Sequence, residues 1–214
     1  MMLEVKNVSF KSEGRPLMEG LSFTVDDGQA LCLLGARQTG KSLLMRALMG
    51  LEPVDGGHIS IDGELLNPTS AAEFRRHMAY IPQRPKLMVE KVAELVWMPF
   101  TLEVGKGKSF SRDRLMQEWH QLGLDEACYD MTIADLSMTD LQLVLLSVAA
   151  VVGKSIILAD EPAAGFSADG EQLVADYLLR QAQKGHTVLV TSCSESFAAL
   201  FERQIEIPTL VKNQ

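Results

Sequence analysis

Eight consecutive residues, Gly35-Ala36-Arg37-Gln38-Thr39-Gly40-Lys41-Ser42, leave this chain few folds to choose from. They match G-x-x-x-x-G-K-[ST] without gap or substitution, a loop that cradles phosphate between a strand and a helix. Ala30 to Leu34 in front is a short apolar run of strand type, and Leu43 to Met49 behind it carries apolar residues at helical spacing. Gly35 and Gly40 let the backbone wrap closely, so that successive N–H groups point inward at phosphate oxygens. The helix starting near Lys41 adds the positive end of its dipole. Lys41 reaches terminal phosphates as a point charge, and Ser42 offers its hydroxyl to Mg²⁺. Residues Gly35 to Leu43 are therefore expected to hold a nucleoside triphosphate. The side chain of Arg37 is left open between phosphate and solvent.

The 214 residues, 47% hydrophobic and 22% charged, suit one compact domain or a core with a smaller lobe. A formal net charge of −8 opposes a broad nucleic-acid footprint, so no nucleic-acid partner is expected. Cys32, Cys128 and Cys193 are widely spaced and read as reduced thiols of a cytoplasmic protein. His58, His77, His120 and His186 show no metal-ligand spacing. The opening residues, Met1 to Lys6, lack a basic region followed by an apolar one, so no signal peptide is expected. Leu141 to Val152, the longest apolar segment, is too short to span a bilayer.

Alternation predicts strands at Leu3–Phe10 and Leu21–Val25, and a hairpin strand at His58–Ile61 turning on Asp62-Gly63. A short strand follows at Met78–Gln83. From Arg84 helical periodicity takes over, around Val89–Phe100 and Arg114–Leu122, joined by a glycine-bearing loop from Glu103 to Arg112. Ser137 opens a long apolar helix to about Val152. Ser155–Asp160 is a near-continuous apolar strand of the kind parallel sheets favour. A helix over Ala168–Gln183, a strand over Thr187–Thr191, a helix over Glu195–Glu202 and an edge strand at Gln204–Ile207 complete the chain. The expected fold class is α/β: a P-loop NTPase core with a mostly parallel sheet flanked by helices, an N-terminal antiparallel β subdomain and an inserted helical subdomain. Residues 1–83 and 155–214 are assigned to the core and 84–154 to the helical subdomain, within a single domain.

Asp160 and Glu161 fall at the carboxyl end of a buried strand, where ligands bind in open α/β sheets. Asp160 there would hold Mg²⁺ through water, and Glu161 would polarise an attacking water as general base. The plainer reading makes them acids facing solvent at a strand end. In sequence order, GARQTGKS, the strand Tyr80-Ile81-Pro82-Gln83, a helical lobe and Ile157-Leu158-Ala159-Asp160-Glu161-Pro162 resemble the ATP-binding subunit of ATP-binding-cassette (ABC) transporters, over almost the whole chain. That resemblance implies ATP and Mg²⁺ as cofactors, with Lys41, Gln83 and Glu161 catalytic and Ser42, Gln83 and Asp160 holding the metal. It further implies ATP hydrolysis coupled to transport, a second ATP-binding subunit (the same chain or another) paired head to tail, and an integral membrane permease subunit docked near Gln83 and the helical lobe. The location implied is cytoplasmic, peripheral on the cytoplasmic face of the membrane.

Several positions depart from the family pattern. Leu136-Ser137-Met138-Thr139-Asp140 aligns with the signature LSGGQ but lacks both glycines and the glutamine. Ser137 and Asp140 also satisfy a capping box, which accounts for Asp140 as a helix start. Ser192 stands where the family has a switch histidine, Ser167 where it has an aspartate, and Ser12 near the place of an adenine-stacking aromatic. Phe10 is a substitute for that aromatic or, on its alternation, a core residue. Donors of this kind are each worth roughly 10²–10³ in rate, so the departures predict retained ATP binding with weak turnover. The alternative is a slow or inactive ATP-dependent regulatory or interaction module. Lys106, Lys108, Arg112 and Arg114 are read as a solvated basic loop, with lipid headgroups or a partner loop as the other option. Met88, Met98 and Met116 are read as core filler before docking surface.

Overall fold

A computed structural model describes residues 1–101 and 109–210. The predicted loop residues Gly105, Lys106, Gly107 and Lys108 lie outside the described residues. In chain order the elements are β1 (Leu3–Ser12), β2 (Arg15–Val25), β3 (Ala30–Gly35), α1 (Lys41–Leu48), β4 (Gly56–Ile61), β5 (Glu64–Leu65), α2 (Ala71–His77), β6 (Met78–Ile81) and α3 (Val92–Thr101). They continue with α4 (Arg112–Leu122), two short 3₁₀ turns, α5 (Met138–Val152), β7 (Ile156–Asp160), α6 (Ala168–Gln183), β8 (Thr187–Ser192), α7 (Glu195–Ala198) and β9 (Gln204–Ile207).

The strands form two sheets. The first is antiparallel in the order β2-β1-β4-β5, and the second is parallel in the order β6-β7-β8-β3-β9. The apolar runs of the parallel sheet carry no polar face because period two sorts them between two cores. Leu31 and Leu33 of β3, Ile156 and Leu158 of β7 and Leu189 of β8 face a core shared with α1 and the antiparallel sheet. Their neighbours Cys32, Ile157, Ala159, Val188 and Val190 face the other core, built with α3 to α7. Because β3, β6, β7 and β8 run parallel, their carboxyl ends meet at one edge. Leu34 is in register with Ser192, Asp160 with Thr191, and Ile81 with Ala159.

Helix α5 is capped at Ser137, whose Oγ accepts the Asp140 N–H at 3.0 Å, and ends at Gly153 in the left-handed region (φ 63°). Its residues are buried almost all round, which is why the segment reads as apolar without a clear stripe. The indole N–H of Trp119 on α4 donates to Ser147 Oγ on α5 at 2.9 Å, and that hydroxyl donates to the Val144 carbonyl at 2.6 Å. Between α4 and α6, Glu118 accepts from the Tyr177 hydroxyl at 2.7 Å, from Gln181 Nε2 at 3.3 Å and from Lys184 Nζ at 3.3 Å. Apolar residues of the 84–154 segment thus belong to the same core as one face of the parallel sheet.

The structure corrects several expectations. Helix α2 has no counterpart in the sequence reading: it is seven residues long and buries only Ala71 and Phe74, too little to leave a periodic signal. Helix α3 begins at Val92, because Lys91 pairs with Thr132 as an isolated bridge and the Glu90 carbonyl is taken by the Ile133 N–H. Met88 is almost fully exposed, at 98%, and does not fill the core, whereas Met116 packs against it. Arg112 opens α4 and so does not belong to the loop, though it remains exposed, with its guanidinium 4.7 Å from the centre of the Tyr129 ring. No helix among the described residues is long and apolar enough to cross a membrane.

Candidate functional site

At the end of β3 the chain turns into α1 through residues 36–40. A Cβ added to Gly35 would come within 3.1 Å of Thr39 Oγ1 and 3.2 Å of Ile207 Cβ, so a side chain there would press its neighbours aside by a few tenths of an ångström. Gly40, the residue before α1, is left-handed with φ 88°, and no side chain caps the helix start. The first N–H groups of α1 thus remain open to an anion. Thr39 Oγ1 donates to the Ala36 carbonyl at 2.9 Å and closes the loop on itself. Lys41 is buried, its Nζ donating to the carbonyls of Gly35 at 2.6 Å and Ala36 at 2.9 Å, and it forms an ion pair with Glu161 Oε1 at 3.3 Å.

The end of β8 holds both acids. Thr191 Oγ1 donates to Asp160 Oδ1 at 2.7 Å, and the Glu161 N–H reaches Thr191 O and Oγ1, each at 3.1 Å. Glu161 itself has a left-handed backbone (φ 52°), which turns its side chain out of the strand's alternation. Its Oε2 accepts the Cys193 N–H at 3.0 Å and its Oε1 accepts the Cys193 thiol at 2.7 Å. Partial desolvation of this otherwise exposed residue, then the hydrogen bond and the charge of Glu161, push the Cys193 thiol up from its ordinary range. The Tyr80 hydroxyl bonds to Asp160, and burial first, then that carboxylate, raise it to about 12.

Arg37, Gln38, Gly40, Lys41, Ser42 and Leu43 line a cavity of about 570 Å³, together with Gln83 and Glu161. Gly35, Ala36 and Thr39 shape the loop behind it, and Asp160 is buried among Thr191 and Tyr80. Arg37 therefore faces the cavity. Arg84 and Cys193 also line it, and the sequence did not single them out. Arg84 was legible as the neighbour of Gln83. For Cys193 no signal existed, since its partner Glu161 lies 32 residues away. Phe10 is buried at 3% exposure and belongs to the core, so it is no substitute for a base-stacking aromatic, whereas Ser12 and Leu17 line the cavity.

The cationic side chains of Arg37, Lys41 and Arg84, with two glycines and an uncapped helix start, suit a polyphosphate. The hydroxyl of Ser42 and the amide of Gln83 are hard oxygen donors suited to Mg²⁺, which keeps several waters and takes few protein ligands. The other departures from the family pattern have local partners. Ser167 caps α6 by accepting the Gly170 N–H at 3.3 Å, and Ser192 Oγ, buried, accepts the Ser194 N–H at 3.0 Å. Asp140 accepts the Ser137 hydroxyl at 2.7 Å, while Met138 is 66% exposed.

The family model for ABC transporters matches residues 18–164. An ABC transporter ATP-binding protein of Haemophilus influenzae is 30% identical over 205 residues, covering 94% of this chain and 77% of that protein. A macrolide export ATP-binding/permease protein of Photorhabdus laumondii is 30% identical over 196 residues, covering 89% of this chain and only 30% of that longer protein. Among solved structures, an ATP-binding subunit of an ABC transporter superposes with a TM-score of 0.81 at 24% identity, covering 97% of this chain and 86% of that one. A dimeric ATP-binding cassette in a post-hydrolysis state, bound to ADP and Pi, gives 0.81 at 20% identity over 96% and 94% of the two chains. These superpositions carry the fold, an α/β P-loop NTPase with an added antiparallel sheet. With the sequence matches beside them, the chain belongs to the ABC transporter family.

Proposed function

We propose that this chain binds ATP with Mg²⁺ and hydrolyses it as the ATP-binding subunit of a transporter whose membrane-spanning part is a separate permease chain. The observation that carries this reading is the meeting of Lys41 and Glu161, 3.3 Å apart, in the cavity at the carboxyl end of the parallel sheet. Lys41 exchanges Glu161 and two loop carbonyls for phosphate oxygens. Glu161, released from the ammonium, then takes the proton of the attacking water. Gln83 orients that water, and Ser42, Gln83 and Asp160 hold the metal. When bound, Mg²⁺ neutralises charge on the terminal phosphate oxygens. Residues 84–154 serve as the helical subdomain that meets the permease on the cytoplasmic face of the membrane. A second ATP-binding subunit, the same chain or another, completes the nucleotide site. Two relatives support the assembly: one joins ATP-binding and permease functions in a single export protein, and one solved cassette is a dimer. The net charge of −8 supports a partner set without nucleic acid.

Turnover by two copies of this chain is slow in this reading. Met138, Thr139 and Asp140 put side chains where a partner's phosphate needs bare backbone, and Ser192 brings no positive charge. Calorimetry with Mg-ATP tests the foundation. Lys41→Ala weakens binding at least about tenfold, the scale of one charge-assisted contact of about 1.5–3 kcal/mol. Glu161→Gln keeps binding and loses turnover. Absence of heat on adding Mg-ATP, unchanged by Lys41→Ala, would overturn the proposal.

A further inference from the structure

The carboxylate of Glu161 has two oxygens, and Cys193 holds both. Its main-chain N–H donates to Oε2 at 3.0 Å and its thiol to Oε1 at 2.7 Å, with the Lys41 ammonium the other group on Oε1. One end of this arrangement is fixed by β8, because Thr191 anchors both the backbone of Glu161 and the side chain of Asp160. The other end is the left-handed backbone of Glu161, a strained conformation for a residue with a side chain. A carboxylate on such a turn has several rotamers open to it once Lys41 leaves for phosphate, and only the Cys193 pair then remains to fix its direction. Ser192, the residue before, is buried, and its hydroxyl accepts the Ser194 N–H.

We propose that Cys193 is the positioning residue of Glu161, its thiol holding the carboxylate in line for the water while Lys41 binds phosphate. The proposal rests on the hydrolytic reading given above. The thiol donates through its own proton and stays a donor because its partial desolvation and the adjacent carboxylate oppose its ionisation, with Lys41 and Arg37 acting in the opposite sense. No bond to sulfur is made or broken, and no oxidant is involved. Cys193 acts through geometry alone.

Two measurements test this. In steady-state ATPase assays of the full chain, Cys193→Ala lowers kcat by about tenfold, part of the roughly 10²–10⁴ that a positioned base contributes, and leaves KM within about threefold. Cys193→Ser, which keeps an O–H donor, recovers most of the loss, and Cys193→Ala adds nothing further in a Glu161→Gln background. Alkylation by iodoacetamide reads the contact without nucleotide. Cys193 is exposed whereas Cys32 and Cys128 are buried, so labelling reports on one thiol. The midpoint of the labelling rate against pH moves down in Glu161→Gln, because the anion that opposed the thiolate is gone; a mere change of access alters the plateau and not the midpoint. Unchanged kcat in Cys193→Ala, or an unmoved midpoint in Glu161→Gln, overturns the positioning role and leaves the hydrolytic reading standing. A wild-type chain without turnover in any pairing sinks the hydrolytic reading and this role with it. Should Cys193→Ala fail to fold, the labelling comparison, which does not use it, decides.

Discussion

Cys32 sits in the middle of β3 with no exposure, facing the helical core below the Lys41–Glu161 pair. Burial, and after it the charge of Glu161, raise its thiol from an ordinary 9.0 to about 12. The sign of the linkage follows. The unfolded thiol ionises near 9 and the folded one does not, so the contribution is complete below pH 9 and is lost as pH rises towards 12. The stability of the wild type relative to Cys32→Ala therefore falls by up to about 1.4 kcal/mol per pH unit above 9, measured as the gap between their urea midpoints. A gap constant from pH 8 to 11 would contradict it. The cysteine at the site and the cysteine in the sheet are thus chemically distinct, though in the sequence they read as equivalent reduced thiols.

Helices α4 and α5 are joined by more than apolar contact. The chain of hydrogen bonds from Trp119 through Ser147 to the Val144 carbonyl is fully buried. Ser147→Ala leaves the indole N–H without its acceptor, and denaturant unfolding should show a loss of about 1–3 kcal/mol. At the start of α5, Ser137→Ala removes the acceptor of the Asp140 N–H and should cost about 1 kcal/mol. The N-cap is therefore a local reason for Ser137, while the Asp140 carboxylate takes the Ser137 hydroxyl and not the main-chain N–H that a full capping box would use. Legibility followed element length: α5, α6 and the parallel strands were plain in the sequence because each buries a whole face. Helix α2 and the true start of α3 were not, since one is short and the other is set by a bridge to Thr132.

On the scale of the whole molecule, the parallel sheet divides two cores and brings the carboxyl ends of its five strands to one edge. If the Leu136–Asp140 segment faces the nucleotide of a second subunit, as proposed, then Met138→Gly with Thr139→Gly and Asp140→Gln should raise kcat at least about tenfold, the scale of one restored oxyanion-type donor. The same variant should lose some stability, since Asp140 accepts the Ser137 hydroxyl. Steady-state ATPase assay and thermal melting would read the two effects, and a triple variant with unaltered kcat would remove the segment from the site. By itself the sequence determined the phosphate loop, the acidic strand end, the alternation of the sheets and the family, because each is written in contiguous residues whose spacing is their meaning. Only the tertiary structure decided that Arg37 faces the cavity, that Phe10 belongs to the core, and that Cys193 grips Glu161. Those facts depend on which strands lie side by side and in what register, and strands far apart in the chain carry no local mark of the neighbour they will find.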